Sequence, residues 1–283
     1  MTVAVTGASG QLGRLVVEAL LRAGPTPVVA IVRDPAKVAD LAVRGVDVRQ
    51  ADYGDPSALA RALDGVERVL LISGNEFGAR VAQHTNVIRA AERAGVELLA
   101  YTSIPGATDN PLILAQEHRG TEAVLAESTV PHVLLRNGWY WENYLGGLAH
   151  AVESGVLHGA AGEGRVAGAA RADYAEAAAT VLTAEAQAGA VYELGGGESL
   201  TYSELAQVIS EAAGKPVRYE NLPEDDYVAV LVQAGLPAEY AKALGDADAG
   251  IARGILDVRS GDLEKLLGRP ATGAVEVFRG ALG

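Results

Sequence analysis

Gly7-Ala8-Ser9-Gly10-Gln11-Leu12-Gly13 follows a short β-rich run, Thr2-Val3-Ala4-Val5-Thr6, and opens a helical pattern. That strand–turn–helix context gives the glycine spacing a chemical meaning. Gly7 permits a tight turn, Gly10 lets the backbone approach a pyrophosphate, and Gly13 lets the helix pack on the strand. A helix N-terminus adds unpaired N–H groups and partial positive charge. Thr6, Gly7, Ala8, Ser9, Gly10, Gln11, Leu12 and Gly13 are therefore the first candidate contacts to a dinucleotide. The spacing is G-x-x-G-x-x-G, one residue longer than the usual dinucleotide fingerprint. The competing reading is a glycine turn without a ligand, and the strand–turn–helix context outweighs it.

Arg33 ends the second β-rich run, about twenty residues beyond the last glycine of the loop. A carboxylate at that place grips the ribose 2′-hydroxyl of NADH; a guanidinium instead attracts the 2′-phosphate of NADPH. Arg33 thus argues for NADP(H), with Lys37 adding charge, against the alternative of a solvated arginine. Asp52-Tyr53 follows the third run, where a carboxylate can accept from an adenine amino group; a simple turn acid ahead of Asp55 is an equal alternative. His118 is a candidate proton or hydrogen-bond donor, because histidine titrates near neutrality. A packing role on a helix is the other reading of His118, and the preferred one for His84. Trp139, Tyr140, Trp141 and Tyr144 crowd into one short stretch of a chain with 5% aromatics. They can wall a flat pocket for a planar ligand, or pack a lobe core.

Some chemistry is excluded by what the spacing lacks. No His/Asp/Glu cluster has metal-ligand spacing, so no metal is expected. No G-x-S-x-G elbow marks a hydrolase. The Tyr-x-x-x-Lys pair that protonates an alkoxide in ordinary short-chain dehydrogenases is missing: Tyr101 is followed four on by Pro105, and Tyr140 by Tyr144.

The elements that must position these residues alternate. Strands are predicted over Thr2–Thr6, Val28–Arg33, Val46–Gln50, Arg68–Ser73, Val96–Thr102 and His132–Arg136, with helical patterns between them, which implies a parallel sheet covered by helices. Asp34-Pro35 and Asp55-Pro56 read as helix starts, with Asp capping and Pro at a position that needs no donor. Gly24, Gly45, Gly65 and Gly95 sit where left-handed helix caps belong. After about Asn137 the rhythm changes. Ala172–Ala188 reads as a helix and Ala190–Leu194 as a strand, and residues 198–283 read as mostly helical. The expected fold is α/β: a Rossmann-type doubly wound parallel sheet with a smaller, mostly helical C-terminal lobe. Residues 1–137 form the NADP-binding domain, with 165–195 returning to it, and 138–164 with 196–283 form the substrate-side lobe.

With these residues in view, the chain resembles the NmrA-like group of atypical short-chain dehydrogenase/reductases, and within it the type 2 NAD(P)H:quinone oxidoreductases. The matching stretches include Thr6–Gly13, Ala30–Lys37, Val48–Asp55, Ala100–Ser103, Glu117-His118 with Thr121-Glu122, and above all Leu134–Leu145, L-L-R-N-G-W-Y-W-E-N-Y-L. The resemblance implies a cofactor domain and a small lobe that together form a cleft. It implies further cofactor contacts at Ser73, Gly74 and Asn75, at Thr102, and along the segment carrying Asn137, Gly138, Trp139, Tyr140 and Asn143. It places His118 near the nicotinamide end. The activity it implies is hydride transfer from NADPH to a quinone, which needs no strong acid because the reduced ring is aromatic. The alternatives are an NADP-sensing regulator without catalysis, and a reductase of another conjugated acceptor such as a triphenylmethane dye.

The bulk numbers bound the rest. The chain has 283 residues, 49% of them hydrophobic, enough for a substantial core. A net charge of −13 without a basic stripe argues against nucleic acid, whose affinity comes from phosphate neutralisation. No apolar run reaches membrane-spanning length, no secretory leader is expected from the first residues, and the absence of cysteine fits a reducing, cytoplasmic setting. A homodimer is an expectation for such folds.

Overall fold

The short β-rich runs become strands because each is flanked by turn residues and meets a partner run of the same kind. The structure, a computed structural model, describes residues 1–283. Its strands are β1 (Val3–Thr6), β2 (Val28–Val32), β3 (Asp47–Gln50), β4 (Arg68–Leu71), β5 (Leu98–Ser103), β6 (His132–Asn137), β7 (Trp139–Tyr140), β8 (Val156–Gly159), β9 (Arg165–Ala169), β10 (Val191–Leu194), β11 (Glu198–Thr201) and β12 (Arg218–Asn221). Its α-helices are α1 (Gln11–Ala23), α2 (Ala39–Val43), α3 (Pro56–Ala62), α4 (Arg80–Ala94), α5 (Ile113–Ala126), α6 (Leu145–Ser154), α7 (Arg171–Thr183), α8 (Tyr202–Ala213), α9 (Glu224–Gln233), α10 (Ala238–Ala252), α11 (Asp262–Leu267) and α12 (Ala274–Leu282). None is long and apolar enough to cross a membrane.

Seven strands form the main sheet in the order β10-β6-β5-β4-β1-β2-β3. The pairings that link β1 to β6 are all parallel. The chain starts in the middle, walks outward to β3, then crosses back to β4 and walks the other way. The order therefore reverses between β1 and β4, and ligands of doubly wound sheets bind beyond the carboxyl ends at that switch point. β1 and β2 are buried along their whole length, as strands covered on both faces must be. Val29, Ile31, Leu59, Leu63, Leu71, Val87, Ile88 and Leu99 belong to one buried cluster. Each such side chain contributes about 1.5–3 kcal/mol on leaving water.

The helix starts behave as their sequence dictates. Asp34 accepts from the Ala36 N–H, and Asp55 from the N–H groups of Ser57 and Ala58. Gly95 ends α4 in the left-handed conformation (φ 69°, ψ 33°). Gly24 differs from expectation: it ends α1 with φ 153° and ψ −171°, a positive-φ conformation that favours glycine but lies outside the left-handed helical cap region. The chain leaves there directly for β2, with no Schellman-type turn.

Contacts divide the chain into two compact units: 1–108, 117–137 and 172–192 form the first, and 109–116, 138–171 and 193–283 the second. The units depart from the expected division at three segments, 109–116, 165–171 and 193–195, all of which fall in the second. Residues 165–169 do not return to the main sheet. As β9 they lie between β7 and β11 in a three-stranded sheet, antiparallel to β11. Gly168 is the physical reason the strand fits there, since a Cβ would lie 2.8 Å from the Trp141 ring. Residues 109–116 fall in the second unit, where the Ile113 N–H donates to Asp246 at 2.7 Å and a Cβ on Gly250 would lie 2.5 Å from Leu112. The mostly helical C-terminal part also contains β11 and β12, each four residues long and outside the βα alternation that marks the strands of the main sheet.

Candidate functional site

The glycine loop connects β1 to α1 in the first unit. Gly7 has φ +60°, the left-handed region where a side chain is strained. Its carbonyl accepts from the Gly10 N–H at 2.9 Å and closes the turn. Gly13 is required by space: a Cβ there would lie 2.3 Å from the Gly7 oxygen. Helix propensity alone would favour alanine by about 1 kcal/mol, so steric exclusion decides the residue. Gly10 caps α1 with no side-chain hydrogen bond, leaving first-turn N–H groups without a competing side-chain acceptor. Ala8 and Leu12 are buried, whereas Ser9, Gly10 and Gln11 are exposed around this donor set. Arg14, one residue past the loop, forks onto Asp40 at 2.7 and 2.9 Å and also donates to the Lys37 carbonyl, tying α1 to α2.

Behind the loop lies a line of buried polar groups at the carboxyl ends of the strands. The Thr6 hydroxyl donates to the Leu70 carbonyl at 3.0 Å and accepts from the Ile72 N–H at 3.1 Å. Tyr53 donates to Thr6 and lies 3.0 Å from the Ile72 carbonyl, and burial pushes its phenol well above the ordinary range. Both side chains thus stitch β1 to β4. The Thr102 hydroxyl accepts from the Ser73 N–H at 2.9 Å. Gly74 donates its N–H to His84 Nε2 at 3.0 Å. That bond places the imidazole proton on Nδ1, which faces the Thr121 hydroxyl at 2.9 Å, and Thr121 in turn donates to the Glu117 carbonyl. The loop after β4 is therefore fastened to α4 and through it to α5.

His118 sits on the same α5 and is 8% exposed. Its Nδ1 lies 2.8 Å from the Tyr101 hydroxyl. Burial, with the nearby Arg80 and His84, pushes the His118 pKa down to about 3. Burial and Arg80 do the same to His84, also to about 3. Both imidazoles are neutral at pH 7. His118 can lend a hydrogen bond, but it holds no imidazolium proton to deliver.

Arg33 is exposed at the end of β2, and its Nη1 meets Glu76 Oε1 at 3.0 Å. Lys37 is exposed beyond it, and so is Asn75 on the loop after β4. Asp52 Oδ1 accepts from the Gly54 N–H at 2.7 Å, which is the turn bond of the simpler of its two readings.

In the second unit, Gly138 follows the buried Asn137 and donates its N–H to the Leu194 carbonyl at 2.7 Å. Trp139 and Tyr140 form β7 and are half-buried, with the Arg171 guanidinium 5.1 Å from the Tyr140 ring centre. Asn143 is exposed. Trp141 is fully buried beneath Gly168. Tyr144 sits among Trp139, Trp141, Tyr202 and Phe278 with ring centres 5.7–6.5 Å away. Trp141 and Tyr144 therefore belong to the lobe core, and Trp139 and Tyr140 keep open surface. The Glu142 carboxylate accepts twice from the Arg171 N–H at 2.9 Å, capping the start of α7.

Sequence reasoning missed several members. Glu76 and Gln83 carried no motif. The Arg136–Glu122 fork, 2.7 Å and nearly buried, joins the last β6 positions to α5. The L-R-N block contained this arginine without showing its partner. Asp248 was also missed. It is 3% exposed and accepts from the Tyr202 hydroxyl and the Ala160 N–H. The partners lie far apart in sequence, and no spacing rule connects them.

A doubly wound sheet with a glycine cradle at its switch point defines a dinucleotide-binding protein. The uncapped first turn of α1, the left-handed Gly7 and the arginine at the end of β2 fit a phosphorylated dinucleotide. The chain belongs to the NmrA-like family, whose profile matches residues 1–249. It is 50% identical over 275 residues to quinone oxidoreductase 2 of Escherichia coli K12, covering 97% of this chain and 96% of that protein. The crystal structure of the NADPH-dependent quinone oxidoreductase of Escherichia coli complexed with NADPH matches with a TM-score of 0.96 at 49% identity, over 99% of this chain and 100% of that one. Triphenylmethane reductase of Citrobacter sp. complexed with NADP(H) matches with a TM-score of 0.94 at 38% identity, over 99% and 100% of the two chains.

Proposed function

We propose that this protein is an NADPH-dependent oxidoreductase that transfers hydride to a quinone. The observation that carries the reading is the joint one: a complete glycine cradle with Arg33 beside it, in a chain half identical along nearly its whole length to a quinone oxidoreductase. In this reading the first-turn N–H groups after Gly10 hold the pyrophosphate, and Arg33 with Lys37 holds the 2′-phosphate. Asp52 and Tyr53 border the adenine. Ser73, Gly74, Asn75 and Thr102 line the cofactor at the strand ends, with Gly74 fastened by His84 and Ser73 by Thr102. The first unit is the cofactor domain and the second the acceptor-side lobe, where Trp139 and Tyr140 offer flat faces for a planar ring. A cytoplasmic setting belongs to the same proposal and is supported by the absence of cysteine, which fits a reducing compartment.

When bound, NADPH supplies the hydride, and the quinone takes it as its ring becomes aromatic. The chain's own contribution is positioning. His118 is neutral, so it orients by hydrogen bonding, and solvent supplies the proton that completes the hydroquinone.

The test is NADPH consumption with simple benzo- and naphthoquinones beside a triphenylmethane dye. One NADPH lost per quinone reduced supports the reading. Faster dye reduction would favour the Citrobacter-like activity. NADPH binding with neither acceptor consumed would make the chain a sensor of the dinucleotide.

A further inference from the structure

We propose that Glu76 sets the margin by which this enzyme prefers NADPH over NADH, by competing with the cofactor's 2′-phosphate for Arg33. The inference rests on the reading that Arg33 faces that phosphate. Glu76 lies on the segment after β4, two residues past Gly74. One carboxylate oxygen meets Arg33 Nη1 at 3.0 Å, and the other accepts from Gln83 Nε2 of α4 at 2.7 Å. The segment is fastened on both sides of Glu76: the Gly74 N–H donates to His84, and the Gly78 N–H to Glu117 at 3.0 Å. The carboxylate is thus positioned by α4, independently of whether Arg33 stays with it.

The exchange of partners is inexpensive. The side chains of Arg33 and Glu76 are 67% and 49% exposed, and ion pairs that open to water contribute little. A phosphate takes the guanidinium fork more strongly, with more charge and bidentate geometry. The released Glu76 stays near the 2′-position because Gln83 still holds it. There its charge opposes the 2′-phosphate of NADPH. The same carboxylate can accept from the 2′-hydroxyl of NADH, the contact that acidic residues make at the end of the second strand in NAD-dependent folds. Both effects narrow the preference that Arg33 creates. Neither removes it.

The test is direct titration of NADPH and NADH, by nicotinamide fluorescence, against the native protein, Glu76→Gln, Glu76→Ala and Arg33→Ala. Glu76→Gln should tighten NADPH by roughly two- to fivefold, the range of an exposed ion pair, and should leave NADH unchanged or weaker. Glu76→Ala should move the affinity ratio in the same direction. The gain should shrink as salt rises, because exposed charges are screened. An unchanged or smaller NADPH-to-NADH ratio in both Glu76 variants would overturn the proposal. Arg33→Ala separates the two ideas. If it collapses the preference while the Glu76 variants leave the ratio alone, only the role of Glu76 falls. If it leaves the preference intact, the Arg33 reading itself is wrong.

Discussion

In the glycine cradle, position is set by the backbone. Gly7 turns left-handed, its carbonyl takes the Gly10 N–H, and Gly13 leaves no room for a Cβ against that same carbonyl. In the aromatic block of the second unit, position is set by side chains. Trp141 is trapped beneath Gly168, and Tyr144 is held by four rings from β7, its own turn, α8 and α12. A backbone-built site is preorganised and tolerates little. A side-chain-built site can be retuned by substitution, and its buried polar groups make it sensitive to pH.

The sharpest way to break the comparison is Gly10→Val. A Cβ there meets only the Gly7 oxygen, at 3.2 Å, and the residue is exposed, so the variant should fold. Its branched side chain would occupy the approach to the first-turn N–H groups. NADPH affinity should fall by at least about 100-fold, close to 3 kcal/mol. Normal binding by a folded variant, measured by fluorescence titration, would show that the loop is only a turn.

The second unit answers with a pH effect on stability. Burial raises the Asp248 pKa from 3.8 to about 6, although the Tyr202 hydroxyl and the Ala160 N–H oppose the rise. The phenols of Tyr144, Tyr219 and Tyr227 also surround this carboxyl, and it in turn raises theirs. The folded value lies above the unfolded one, so the native state holds a proton that the unfolded chain has released. The stabilisation is complete below about pH 4 and is lost as pH rises through 6. At 1.36 kcal/mol per unit the loss is on the order of 3 kcal/mol. The depressed imidazoles of His84 and His118 drive stability upward over the same range, so the Asp248 effect is read as a difference: in urea unfolding from pH 4 to 7, the stability of the native protein relative to Asp248→Asn should fall as pH rises. Parallel profiles would remove Asp248 as the cause.

Arg33→Glu tests the cradle's selectivity. Losing a charge-assisted bond and placing a carboxylate there should move the NADPH-to-NADH ratio by about 1.5–3 kcal/mol, tenfold or more. Equal affinities for the two cofactors in the native protein would already refute the assignment. His118→Ala should give the smallest effect. A general acid typically contributes about 10²–10⁴-fold, and a neutral imidazole whose pKa is depressed to about 3 supplies no such proton. Single-turnover quinone reduction should slow by less than about tenfold. A loss near the full range would make His118 a proton donor after all.

The same contrast explains what the sequence disclosed. Backbone constraints leave marks at fixed spacing: the glycine triplet, the Asp-Pro helix starts and the six strands of the βα alternation could all be read directly. Side-chain constraints leave none. Gly168 permits the β9 crossing over Trp141, and nothing near Gly168 in the chain announces the tryptophan. Likewise Tyr202 and Asp248, or Arg33 and Glu76, are ordinary residues until the fold brings them together. The strands β8, β11 and β12 have four residues each, no fewer than β1, β3 and β4, but they lie outside the βα alternation whose repeat marked those three. Family resemblance marked the Leu134–Leu145 block as important, but only the structure separates its roles. Arg136 forks onto Glu122, Glu142 caps α7, Trp141 is core, and Trp139 and Tyr140 are only half-buried.

The central claim is hydride transfer from bound NADPH to a quinone with positioning as the protein's main contribution. Product release often limits turnover and hides the chemical step, so steady-state rates do not reach it. The direct measurement is rapid mixing of the NADPH-loaded protein with a quinone, following loss of the reduced nicotinamide in a single turnover. NADPH carrying deuterium at the transferred position should react measurably more slowly than ordinary NADPH, in the native protein and in His118→Ala alike. Persistence of the reduced nicotinamide in the presence of quinone would contradict the account, and so would its disappearance at one rate for both isotopes.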